Sequence, residues 1–286
     1  MALVFLLLFA GKAFGEDGWS RVYRENQAAY PKDADLKEVL ALAEGSGTPA
    51  EEVSAVLARS AAASVSAQDF GAFIGHLTAA RKAGLPSHPF AEKILEGLSK
   101  NVPPHLILAA LDRQREVYRE AKTIVDAISG GGLGKEAIDS VALAIQRGVS
   151  PTALRELYHD VSPGAEVIFH SAQAMADLKD LGFSESQGRR MVEAAVNAGY
   201  FTHEEPLFTA VVSKARKSGL SNDDIADKLE AGLRQGYPLF KVFQPSSGSP
   251  SLWKRNTGMW PGTSGGTRSG RTGGAASPAR RGSGRR

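Results

Sequence analysis

The stretch from Ala80 to Pro103 returns without gaps as Ala215 to Pro238, with ten of 24 positions identical at an offset of 135 residues. The shared positions are Ala80/Ala215, Arg81/Arg216, Lys82/Lys217, Gly84/Gly219 and Leu85/Leu220, then Ala91/Ala226, Lys93/Lys228, Gly97/Gly232, Leu98/Leu233 and Pro103/Pro238. Weaker copies of the same Gly-apolar-Ser/Pro turn stand at Gly148-Val149-Ser150 and Gly182-Phe183-Ser184, and Gly47-Thr48-Pro49 is a distant relative. The turns at 148, 182 and 219 lie 34 and 37 residues apart, which is room for two helices and two short loops. A helix pair of that size cannot bury its apolar stripe alone, so successive pairs must stack and share a core. The wider interval from Gly84 to Gly148 holds one long helix and the run Gly130-Gly131-Gly132-Leu133-Gly134, so the array is expected to be irregular there. Tetratricopeptide repeats have this period, but their Trp-x-x-Leu-Gly-x-x-Tyr spacing is absent and no family is assigned.

Local signals agree with an all-α reading. Ser or Thr stands three residues before an acid or amide at Thr48/Glu51, Ser66/Asp69, Ser184/Gln187, Thr202/Glu205 and Ser221/Asp224. In that pattern the hydroxyl and the N3 side chain satisfy orphan amides of the first turn. Pro49, Pro104, Pro151 and Pro163 mark helix starts, where a missing amide costs nothing. Gly84, Gly148, Gly182, Gly199, Gly219 and Gly236 mark helix stops. Apolar residues recur at helical spacing in Phe70, Phe73, Ile74 and Leu77, in Leu207, Phe208, Val211, Val212 and Ala215, and in Ile225, Leu229 and Leu233. These signals predict ten or eleven helices in antiparallel pairs between residues 33 and 244, the longest from about Pro104 to Ile128.

Composition sets outer bounds. With 286 residues, 42% apolar and 23% charged, the chain can bury a sizeable core. No apolar run approaches the roughly 20 residues of a membrane-spanning helix. Zero cysteines exclude disulfides, thiolate zinc sites and cysteine nucleophiles.

The net charge of +3 joins two unlike parts. Residues 245–286 carry eight cations and no acid, namely Lys254, Arg255, Arg268, Arg271, Arg280, Arg281, Arg285 and Arg286, which leaves residues 1–244 at −5. Thirty of those 42 residues are Gly, Ser, Pro, Lys or Arg, too apolar-poor to offset the entropy of ordering. A disordered basic tail is expected, with its eight cations as the candidate polyanion-binding residues. Trp253 and Trp260 beside Lys254 and Arg255 would either dock on the body or stack on a ligand.

At the other end, Ala2 to Ala10 form a short apolar segment, and Ala13-Phe14-Gly15 place small residues at a cleavage site before Glu16. This reads as a signal peptide over 1–15 without a basic leader, followed by an N-terminal extension over 16–32. The mature chain is expected to be exported, periplasmic or extracellular, with no transmembrane segment.

Chemical motifs are sparse. Gly132-x-Gly134-x-x-Ala137 matches a dinucleotide fingerprint in letters only, because a helix and not a strand precedes it. Glu156 with His159, and Glu166 with His170, each share a helix face, yet a carboxylate-rich helical metal site needs two Glu-x-x-His elements. No catalytic, cofactor-binding or metal-binding set is assigned, and no cofactor is called for. The sequence therefore reads as a non-enzymatic binding or scaffold protein, its helical body engaging a protein partner and its tail contacting anionic lipid, cell-wall polymer or nucleic acid. One alternative is an acid/base or metal enzyme using Glu156, His159, Glu166 and His170. Another, if the chain is not exported, is a nucleic-acid-binding protein.

Overall fold

The structure is a computed structural model that describes residues 17–26, 33–129, 133–159, 164–202 and 205–243. The chain divides into two units, Met1–Gln244 and Pro245–Arg286. Every described helix belongs to the first. The expected signal segment 1–15 and the basic tail lie outside the described residues.

Among the described residues there are helices and no strand. The order is α1 (Asp17–Asn26), α2 (Asp33–Gly45), α3 (Ala50–Ala62), α4 (Ala67–Lys82), α5 (His88–Ser99), α6 (Pro104–Ser129) and α7 (Lys135–Gln146). Then come α8 (Pro151–His159), α9 (Ala165–Asp180), α10 (Glu185–Asn197), a 3-10 turn at Tyr200–Thr202, α11 (Glu205–Lys217), α12 (Asn222–Arg234) and α13 (Leu239–Val242). The all-α class is the expected one. Of the thirteen described helices, α2–α12 are the upper count of eleven expected between residues 33 and 244, and two more are found. One is α13, a single turn. The other is α1, which lies in the stretch read as an extension and packs on α2 and α3 through buried Val22.

The ends of the helices follow from turn chemistry. All six stop glycines, and Gly47 besides, have φ between 68° and 90°, the left-handed region that lacks a steric penalty only for glycine. At Gly84 the amides of Gly84 and Leu85 donate to the carbonyls of Arg81 at 3.0 Å and Ala80 at 2.9 Å, so two orphan carbonyls of α4 are satisfied. Leu85 then folds back into the core. Ser64 and Asn101 make the same turn with φ of 54° although neither is glycine.

At the starts, Ser184 and Gln187 form the full reciprocal cap, with bonds of 2.9 and 3.2 Å. Ser66 and Ser221 accept from the amides of Asp69 and Asp224 at 3.1 Å. Thr48 does not cap α3. Its amide closes the end of α2 on Ala43, its hydroxyl pairs with Ser46 at 2.7 Å, and Pro49 takes the cap position. The Thr202/Glu205 pair and Pro163 fall outside the described residues or side chains.

Packing runs between second neighbours. α1 packs on α3, α2 on α4, α3 on α5 and α4 on α6; after α6 the pattern resumes as α6 on α8, α7 on α9, α8 on α10, α9 on α11, α10 on α12 and α11 on α13. Among the described helices only α5 and α7 lack comparable packing. The core is built from the expected stripes, including Phe70, Phe73, Ile74 and Leu77 on α4, Phe208 and Val212 on α11, and Ile225, Leu229 and Leu233 on α12. Leu207, read as part of the α11 stripe, is instead exposed.

The two similar segments share detail beyond their identical residues. Each ends its second helix on a left-handed residue at the same offset, Asn101 and Gly236. Each also has a glycine where a Cβ would meet the following helix, Gly97 at 2.7 Å from Ile107 and Gly232 at 2.9 Å from Val242, again 135 residues apart.

Candidate functional site

The eight tail cations and both tail tryptophans lie outside the described residues. Of the other residues weighed from sequence, Arg81 and Arg216 are placed by the stack. A Cβ on Gly47 would stand 3.7 Å from the Arg81 guanidinium, and one on Gly182 would stand 3.5 Å from that of Arg216. Each arginine therefore lies over the carbonyl-rich end of the preceding helix pair, where the helix dipole favours a cation. Lys179 does the same at Gly148, donating to its carbonyl. Lys82 and Lys217 are exposed.

Glu156, His159, Glu166 and His170 form no metal-holding group among the described residues. The Glu156 carboxylate is taken by Arg189 of α10, and His170 stands edge-on to Phe169 with ring centroids 4.9 Å apart. No group of three or more His, Cys, Asp or Glu side chains that could hold a metal ion occurs among the described residues. Glu156 is instead one link in a row of ion pairs: Glu120–Arg155 joins α6 to α8, Glu156–Arg189 joins α8 to α10, and Arg190–Asp227, at 3.2 Å, joins α10 to α12.

A groove of about 760 Å³ opens where α5 and α7 fail to pack, between α5, α6, α7 and α9. Gln114 and Tyr118, one turn apart on α6, share it with Asp139 and Leu143, one turn apart on α7. Tyr118 is 4% exposed, packs on Phe90 with centroids 5.3 Å apart, and donates its hydroxyl to Asp139 Oδ1 at 2.6 Å. Burial raises the Asp139 carboxyl above its ordinary range, and the Tyr118 hydrogen bond only partly opposes it. The Tyr118 phenol is also pushed up, by burial first and then by Asp139. Leu143 and Phe169 remain 48% and 41% exposed on the groove wall.

On the α5 side, Glu96 accepts from Lys100 at 2.5 Å and Lys93 at 2.8 Å, which hold its carboxyl down to about 2. His88 and Glu92 pair at 3.1 Å on the exposed face of α5. The groove residues escaped sequence reasoning because their partners are 21 or more residues away on another helix. One signal did point to the region, the irregular interval between Gly84 and Gly148. Comparison with protein-family models, with curated proteins and with solved structures finds no match. No helix among the described residues is long and apolar enough to cross a membrane.

Proposed function

We propose that this chain is an exported, non-enzymatic binding or scaffold protein. Its body is an array of stacked helix pairs that takes a protein partner in the groove between α5 and α9. Its residues 245–286 contact an anionic envelope component, anionic lipid or cell-wall polymer, through Lys254, Arg255, Arg268, Arg271, Arg280, Arg281, Arg285 and Arg286. The observation that supports a partner surface is the groove itself: Leu143 and Phe169 stand bare beside the lapse in second-neighbour packing. Fully burying an exposed side chain of this kind contributes about 1.5–3 kcal/mol, and Leu143 and Phe169 still have nearly half of their surface to cover, so together they can help anchor a partner. The charge division supports the tail's role, because +8 without an internal acid attracts polyanions that a body at −5 repels.

Two paired measurements test this. Pull-downs from the source cells should retain a partner on the wild-type chain and lose it on Leu143→Ser/Phe169→Ser. Anionic vesicles at low salt should bind the full chain and not a chain truncated after Gln244. That binding should fall steeply as added salt shortens the Debye length below about 8 Å. Equal vesicle binding by both chains would place the anionic contact on the helical body.

A further inference from the structure

The groove is short of hydrogen-bond donors and of positive charge at its inner end. Asp139 is half-buried, and among the described residues its carboxylate has Tyr118 as donor and no cation at ion-pair distance. Gln114, lining the same groove and only 7% exposed, keeps its Oε1 without a hydrogen-bond partner. A buried acceptor left unpaired is costly, so a ligand donor that reaches it recovers part of that cost. At the outer edge Glu92 pairs with His88, whose charge depends on protonation.

The cations of the groove do not cancel this. Lys93 is spent on Glu96. Arg113 is exposed, so solvent and salt screen its charge far more than the half-buried Asp139. The apolar wall of Leu143 and Phe169 flanks the same space.

We propose that the groove recognises a cationic amphipathic segment of a protein partner, an arginine or lysine side chain entering beside Asp139 and Gln114 while neighbouring apolar side chains cover Leu143 and Phe169. This rests on the reading of the groove as a partner surface and names the chemistry that fills it. The long stem of an arginine or lysine suits both halves, because its methylenes pack on apolar surface while its head seeks acceptors. Planar guanidinium matches a carboxylate in two parallel bonds and is the better fit.

The test uses the full chain and two short fluorescein-labelled peptides, one of alternating arginine and leucine pairs, the other with glutamate replacing arginine. Binding is read by fluorescence anisotropy. The arginine peptide should bind and weaken about tenfold in Asp139→Asn, whereas any binding of the glutamate peptide, drawn by the eight tail cations, should be indifferent to Asp139→Asn and to Phe169→Ser. Asparagine keeps an acceptor for Tyr118, so this variant removes charge without removing the bond between α6 and α7. Phe169→Ser, at a position 41% exposed, should weaken the arginine peptide while leaving the circular dichroism of the folded chain unchanged. Equal binding of both peptides, lost in Phe169→Ser, would overturn the cationic specificity and leave the partner groove standing. Binding indifferent to both variants would overturn the groove as well.

Discussion

The α4–α5–α6 segment and the α11–α12–α13 segment begin alike and end differently. Both carry an arginine over the glycine turn one helix pair earlier, a left-handed glycine between their first two helices, and a glycine that lets the third helix approach the second. After Pro103 the third helix runs for 26 residues, whereas after Pro238 it lasts four. The first copy thus sends a rigid rod across the stack, against α7 and α8, and the groove opens beside it. The second copy stops, leaving Tyr237 and Phe240 about half exposed. The length of helix beyond the turn decides whether a groove opens beside the segment.

The most damaging way to probe this is to fill the two close approaches. Gly97→Ala should lower stability by about 2 kcal/mol, because Ile107 is buried on a long anchored helix and overpacking there has no easy relief. Gly232→Ala should cost about half as much in the same urea titration, since one short turn can shift outward, while the helix propensity of about 0.5–1 kcal/mol that alanine regains is common to both positions. Equal losses would show that the length of the third helix does not set its rigidity.

A smaller effect is expected at the paired turns. Gly84→Val and Gly219→Val should each destabilise by about 1–2 kcal/mol by forcing a branched residue to positive φ. Gly84 should be the worse, because Lys122 Cε would lie 3.4 Å from the new Cβ whereas Gly219 has open space around it. The reverse order in thermal melts would mean that crowding by Lys122 is not what distinguishes them.

The smallest contrast sets the groove against the closed stack. Glu185 joins α8 to α10 by accepting from Ser150 Oγ at 2.7 Å, the Ser150 amide at 2.9 Å and Lys179 at 3.0 Å. The Ser150 hydroxyl is the main cause of a lowered Glu185 carboxyl. Its stabilisation is therefore present above the ordinary glutamate range and is lost as pH falls toward the folded value. Glu185→Gln should cost under about 1 kcal/mol at neutral pH after solvent screening, and the gap should close in acid. Asp139 has the opposite sign: its favourable contribution is present below the unfolded value and lost as pH rises through the raised folded value. Asp139→Asn should therefore not destabilise the protein at neutral pH. Parallel unfolding curves across acid and neutral pH would separate the two groups.

Most of the helix map was legible because stops and starts are written in single residues. Gly84, Gly148, Gly182, Gly199, Gly219 and Gly236 all terminate helices, and Pro104 opens a helix within one residue of the expected span. Thr48 misled because a hydroxyl three residues before a glutamate does not reveal that Pro49 has already taken the cap. The turns at Ser64 and Asn101 were missed since neither residue signals positive φ. The groove was illegible for a different reason. Tyr118, Asp139, Gln114 and Phe169 become neighbours only through the crossing of α6, α7 and α9, and no spacing within one helix encodes that crossing.

The cations laid over the glycine turns also make the stack a length gauge. Arg81 reaches Gly47 across 34 residues, and Arg216 reaches Gly182 across the same count. One residue added to either intervening helix turns everything beyond it by about 100° and advances it by about 1.5 Å, carrying the guanidinium off its carbonyl end. Between those paired marks a change of length within a helix breaks the alignment. Lys122 over Gly84 and Lys179 over Gly148 extend the gauge on either side of the α6-to-α7 interval, which none of these cations spans. Drift in size among descendants of this fold should therefore collect there, beside the groove.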